Sequence, residues 1–329
     1  MLRLDGALLV RRSFSEGGKH PCTTDHSAVS LRSFESGITR SESEHTAQDN
    51  LPHSIFHFSP ISAMCIMRIM KLQAVIQTLE NIAPPSLAEE WDNVGLLINP
   101  LRPRNVKKIL LTIDLTEAVA DEAIEAKTDL IMAYHPILFR PASRLNADNA
   151  YDRAVMKLVQ KNIAVYSPHT ALDAVIGGVN DWLADSVGDG EVSVLQPIQN
   201  SDAGQGRLVE LKRQVKLKTL TQRIKKHLGL ESLRIAEAAD DKPIKTVALC
   251  AGAGTDAFNG IQADCYLTGE MSHHNVLAAT LNGSHVILCE HTNTERGYLP
   301  VFRKIVVKAL GNGIEITVSK KDTDPIQIN

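Results

Sequence analysis

The sequence predicts an α/β fold of two similar, mostly parallel βαβ halves, and three observations carry that prediction. Short apolar runs bounded by turn residues alternate with amphipathic stretches of helical length, the pattern of crossover units. Two segments also match: AKTDLIMAYHP ahead of IAVYSPHTALD, and IQADCYLTGE ahead of HVILCEHTNTE. Both end in His-Thr-x-x-acid, as His169-Thr170-x-x-Asp173 and His291-Thr292-x-x-Glu295, with chance likeness of two βαβ units as the competing reading. Finally, the 329 residues are 43% apolar and 22% charged, an ordinary globular balance that buries a sizeable core.

Residues 1–68 are Ser-rich and lack helical or strand periodicity, so they read as a disordered or targeting tail. Arg3, Arg11 and Arg12 around a short apolar stretch suit a mitochondrial presequence. Glu16, Asp25, Glu35, Glu42, Glu44 and Asp49 argue against one, because transit peptides are poor in acids. The expected location is cytoplasmic, mitochondrial or both, with the nucleus also open. The first half is expected over 69–187. Leu72, Val75, Ile76, Leu79 and Ile82 fall on one helical face, which Pro84-Pro85 ends. Strands follow at 107–113, 129–136 and 163–169, with helices at 116–127, 150–161 and 178–187. Residues 188–242 are Gly-rich at first, then carry a strand-like RLVELKRQVKL and a basic helix LTQRIKKHL; they read as a connecting segment. The second half, 243–329, has strands at 245–250, 264–270, 285–291 and 313–319, with helices at 271–281 and around Leu299, Phe302, Val306 and Leu310.

Composition excludes several function classes. Lys+Arg 35 against Asp+Glu 38 gives a net charge of −3, and aromatics are 4%. No direct nucleic-acid binding is therefore expected. No apolar run reaches about 18 residues, so no membrane span is expected. The five cysteines are odd in number and form no CxxC, which suits a reducing compartment rather than a disulfide framework or zinc ribbon.

In open parallel sheets, sites form beyond the carboxyl ends of strands. His135, His169 with Asp173, Glu270, and His291 with Glu295 all fall at such ends. Mixed imidazole and carboxylate donors suit Zn²⁺, Mn²⁺, Fe²⁺, Co²⁺ or Ni²⁺, whereas Mg²⁺ and Ca²⁺ favour all-oxygen shells. Thr292-x-x-Glu295 equally fits a capping box, so Glu295 has a structural alternative. His273-His274 at a helix start admit anion binding or an outer contact to a ligand, or simply a surface pair. Gly252 and Gly254 suggest either a phosphate nest or a plain turn. Asp92 and Asn93, in Trp-Asp-Asn-x-Gly, are further site candidates beside an architectural reading of Gly95.

EWDNVGLLI (90–98), DLIMAYHPILF (129–139), YSPHTALD (166–173), LTGEMSHH (267–274) and CEHTNTERG (289–297) together resemble the Nif-three-like (NGG-one-interacting factor three-like) family. Bacterial relatives of that family are labelled GTP cyclohydrolase I type 2 homologues. The resemblance implies an α/β fold, a homodimer or higher homo-oligomer, and one or two divalent metals per chain. The implied ligands are His135, Asp173, His291 and Glu295. Tyr134 stands where the family pattern has the first His of a pair, and a phenol with an ordinary pKa near 10 is a poor ligand. Two functions follow as expectations. One is a metal-dependent hydrolase of a nucleotide or pterin-like compound, with Glu270 or His274 as the acid/base. The other is a non-catalytic partner of a transcriptional coregulator that keeps a structural or vestigial metal site.

Overall fold

The computed structural model describes residues 70–240 and 242–326. The expectations for the 1–68 tail, including its targeting role, lie outside the described residues. The chain opens with β1 (Met70–Lys71) and α1 (Leu72–Ile82), then β2 (Gly95–Ile98), β3 (Asn105–Val106), β4 (Lys108–Thr112) and α2 (Glu117–Glu125). It continues through β5 (Leu130–Ala133), α3 (Ala150–Gln160), β6 (Ala164–Ser167), α4 (His169–Ala174) and α5 (Val179–Ala184). Next come β7 (Gly190–Pro197), β8 (Gly204–Val215), α6 (Leu217–Leu228), β9 (Arg234–Ala236) and β10 (Ile244–Cys250). The last elements are β11 (Cys265–Thr268), α7 (His273–Leu281), β12 (His285–Leu288), α8 (Leu299–Leu310) and β13 (Glu315–Val318).

Two larger sheets form, in the orders β13-β4-β5-β6-β2 and β7-β8-β10-β11-β12-β9. Their centres repeat one topology. In the first, β4, β5 and β6 run parallel and the earlier strand β2 caps β6 antiparallel. In the second, β10, β11 and β12 run parallel and the earlier strand β9 caps β12 antiparallel. The matched sequence segments are therefore the equivalent strand pairs β5/β6 and β11/β12, as two similar βαβ halves require.

The continuous apolar runs of the parallel strands follow from burial on both faces. Ile109 and Leu111 of β4 enter one core with Val247 and Leu249 of β10, while Leu110 faces Val119 of α2 and Leu158 of α3. That shared core also takes Leu72, Val75, Ile76 and Leu79 of α1 and Leu299, Phe302, Val306 and Leu310 of α8. These are the helical faces expected from spacing. Side-chain oxygens cap the intervening helices: Thr116 accepts from Val119 N, and Asn149 from Tyr151 N and Asp152 N.

Two organisational expectations change. The 188–242 segment is no mere connector, since β7, β8 and β9 supply three of the six strands of the second sheet. Nor does β13 stay with the 243–329 half: it pairs parallel with β4, Ile316 opposite Ile109, in the first sheet. The chain end thus ties the two sheets together.

Candidate metal centre

The carboxyl ends of both parallel triplets converge on one cavity of about 1020 Å³. Two residues beyond β5, β4 and β6 stand His135, Asp114 and His169, and past β12 come His291 and Glu295. His135, His291 and Glu295 offer ligand atoms that all lie within 4.8 Å of one another. The first comes from one sheet and the other two from the other, so the group exists only where the sheets meet.

Carboxylates orient both imidazoles. His135 Nδ1 donates to Asp114 Oδ1 at 2.9 Å, and His291 Nδ1 lies 3.2 Å from Glu270 Oε1. Each ring thereby turns Nε2 toward Glu295: His135 Nε2 is 3.4 Å from Oε2, and His291 Nε2 is 3.3 Å from Oε1. Two ligand atoms about 2.1 Å from one ion at a tetrahedral angle are separated by about 3.4 Å. Carboxylate-held imidazoles facing a common point are the usual outer arrangement of a metal site.

Glu295 is 2% exposed, and its Oε2 has no hydrogen-bond partner among the described residues. The nearest polar neighbour of Oε2 is His135 Nε2 at 3.4 Å, long for a hydrogen bond, so the residues present fit a cation between them. Burial pushes Glu295 up, but the His135 and His291 imidazoles outweigh it and hold the carboxyl at about 2. Burial likewise opposes charge on His135, yet Asp114 and Glu295 raise it to about 10. Glu295 also raises His291. Without an ion both imidazoles are thus biased toward their protonated forms, and a cation entering the group competes with those protons.

The backbone leaves room for an ion. Gly252 has φ +64°, and a Cβ there would stand 2.8 Å from Glu295 Oε1 and 3.0 Å from His291 Nε2. Glu290, next to His291, has φ 65°, a left-handed conformation uncommon outside glycine and a mark of local strain at functional sites.

Other expected site residues fall differently. Asp173 lines the cavity but stands outside the ligand group; its carboxylate accepts the Tyr134 hydroxyl hydrogen. Burial raises Asp173 to about 6 despite that bond, and burial together with the Asp173 charge pushes Tyr134 far above an ordinary phenol. The Tyr134 hydroxyl is thereby held as a donor to Asp173, which argues against its serving a second metal. Glu270 reaches His291, whereas exposed His274 meets His273 ring to ring and does not line the cavity. The capping-box reading of Glu295 fails because α8 starts at Leu299, after two short 3-10 turns. The phosphate-nest reading fails too: Gly252 N donates to Thr294 Oγ1 and Gly254 N to Thr268 Oγ1.

One pairing is not legible in the sequence. Asp92, 77 positions earlier, accepts from His169 Nδ1 at 2.7 Å and from Thr170 N and Oγ1 at 3.1 and 2.6 Å. Burial raises Asp92, but these bonds prevail and lower it. His169 Nε2 has no hydrogen bond among the described residues and the ring lines the cavity, its centroid 5.4 Å from that of His135.

Fold and site together define a two-sheet α/β protein with a candidate metal centre at the meeting of its strand ends. The chain belongs to the Duf34/NIF3 (NGG1p interacting factor 3) family, whose model matches residues 70–325. It is 44% identical over 261 residues to NIF3-like protein 1 of Drosophila melanogaster, spanning 78% of this chain and 88% of that one. It is 37% identical over 281 residues to NGG1-interacting factor 3 of Saccharomyces cerevisiae, spanning 78% and 97%. A Bacillus cereus protein related to NIF3 shares the fold at TM-score 0.70 and 22% identity, covering 80% of this chain and 100% of its own.

Proposed function

We propose that the protein is a divalent-metal-dependent hydrolase acting on a nucleotide or pterin-like compound. The observation that carries the reading is the buried Glu295 carboxylate, with Oε2 facing His135 and Oε1 facing His291, at a ligand-sized cavity. His135, His291 and Glu295 would hold one Zn²⁺, Mn²⁺, Fe²⁺, Co²⁺ or Ni²⁺ ion, which supplies Lewis acidity when bound. Asp114 and Glu270 fix the imidazole orientations. Asp92 holds His169 in the tautomer with Nδ1 protonated, so Nε2 takes a proton from the attacking water and returns it to the leaving group. His169 replaces His274 in the acid/base role because it alone of the two lines the cavity.

The full chain loaded with each of these metals is expected to hydrolyse at least one compound in a nucleotide and phosphate-ester panel. His169→Ala should lower kcat by about 10²–10⁴-fold with metal content unchanged. Inactivity with every metal across the panel overturns the reading.

The name of the yeast relative favours a second one: a partner of a transcriptional coregulator, working in the nucleus, with a structural metal. The variant carrying His135→Ala and Glu295→Gln separates the two, because partner binding that survives loss of the ion belongs to this reading alone. A homodimer or higher homo-oligomer is proposed under either. Among the described residues, no helix is long and apolar enough to cross a membrane.

A further inference from the structure

Trp91 and Phe139 are 60% and 44% exposed although both line the cavity. Their ring centroids lie 5.8 Å apart, and each meets the His169 ring edge-on, at 6.0 and 6.2 Å. Large apolar side chains left in water call for a reason, and here the backbone around them is pinned. Glu89 N donates to Thr170 Oγ1 at 3.0 Å, Asp92 is held by His169 and Thr170, and Asn93 Nδ2 donates to the Leu138 carbonyl at 2.5 Å. The Trp-Asp-Asn motif thus clamps the loop of Trp91 to the loop of Phe139 and brings the two rings together at the cavity.

The second sheet contributes polar groups to the same cavity. Gln205 Nε2 donates to the Thr170 carbonyl at 3.1 Å, and Gln196 Nε2 donates to the carbonyls of Ala257 and Asn259 at 3.2 and 3.3 Å. With both amide nitrogens committed to the backbone, each carboxamide presents its oxygen, an acceptor with no hydrogen bond among the described residues.

We propose that Trp91 stacks on a planar heteroaromatic ring while Phe139, tilted 59° to it, walls that ring's edge to complete an aromatic shelf, and that Gln196 and Gln205 accept N–H donors on the ring. The proposal rests on the hydrolase reading for what lies at the other end of the ligand, and it names the ring class of that ligand: an amino- or oxo-substituted purine or pterin. Aromatic shelves hold such rings by stacking, and carboxamides sort them by donor pattern. His169 and His135, with ring centroids 5.4 Å apart, bridge from the shelf to the ligand group, so a ring on Trp91 leaves its ribose or phosphate side near Glu295.

The chain has two tryptophans, and Trp182 packs against His227 and Tyr298, so ligand quenching of fluorescence reports Trp91. The chelator-treated full chain, titrated with guanosine 5′-monophosphate, is expected to show saturable quenching. Calorimetry should find binding at least about tenfold weaker in Trp91→Ala, while Trp91→Phe stays within about threefold and loses the quench. Purine riboside 5′-monophosphate, which lacks N–H donors on its ring, should bind several-fold more weakly, and ribose 5-phosphate more weakly still. Equal binding by Trp91→Ala and the native protein, by a folded variant whose circular dichroism is unchanged, overturns the shelf. So does equal affinity for ribose 5-phosphate, or no saturable binding by either chelated or zinc-loaded protein. Equal affinity for the purine riboside overturns the reading of the carboxamides. Normal hydrolysis by Trp91→Ala with unchanged nucleotide binding defeats the shelf and leaves the hydrolase reading standing. Stacking as described in a protein inert with every metal supports the shelf and defeats the hydrolase reading.

Discussion

Glu295→Gln is expected to abolish zinc binding. Glu295 is the member of the ligand group that is buried, and it faces both imidazoles, so the change removes the charge that draws a cation between them. The amide also offers one acceptor where the carboxylate offered two. Outer groups such as Asp114 typically cost about 10–100-fold in metal affinity when removed; loss of a ligand that faces both partners should exceed that. Equilibrium dialysis against zinc, with a thermal melt to check the fold, measures it. Affinity within a few-fold of the native protein would contradict the assignment. The native site should also show a pH signature. His135 holds its proton up to about 10 without an ion, so zinc affinity at neutral pH should strengthen as pH rises toward that value and each ion bound should release protons. Calorimetry in buffers of different ionisation enthalpy counts them, and zero protons released would contradict the cluster.

Arg207→Met is expected to bring the largest loss of stability. Arg207 is 1% exposed, and its Nε and Nη2 grip Asp181 at 2.6 and 3.0 Å. Nη1 donates to the carbonyls of Gly204 and Gly206, and Nη2 also to that of Val175. One guanidinium thus ties β8 of the second sheet to Asp181 in α5 and to Val175 just after α4. Methionine fills the volume but leaves Asp181 and several carbonyls without their donor. Breaking a buried pair from one side costs about 3–5 kcal/mol, and partial exposure of Asp181 favours the lower end. At roughly 2–4 °C per kcal/mol for a domain of this size, the melting temperature should fall by about 6–12 °C. A drop of under about 2 °C would contradict that role for Arg207.

What the sequence reveals of this protein follows from the range of the interactions. The faces of α1 and α8 are legible because Leu72, Val75, Ile76 and Leu79, or Leu299, Phe302 and Val306, obey a local period. His135, His291 and Glu295 are legible as strand-end residues because the strands themselves are short apolar runs. Non-local pairing is not legible. Nothing in GIEITVS tells that β13 crosses to β4, and β7 and β9 are edge strands with weak patterns, so 188–242 resembles a connector. The same limit separates Asp173 from its repeat partner Glu295. The repeat places both near the cleft, but Tyr134, packed above Asp173, decides that one carboxylate takes a hydroxyl hydrogen while the other faces two imidazoles. The Asp92–His169 pair needs the fold of the whole first half to form.

His135, His291 and Glu295 are expected to bind a single divalent ion. Elemental analysis of the purified full chain, after equilibration with zinc and removal of excess, tests it directly. One ion per chain is expected in the native protein, and none in the variant carrying His135→Ala and Glu295→Gln. Retention of the ion by that variant, or no ion in the native protein, would contradict the site, and two ions per chain would contradict the role given to Tyr134.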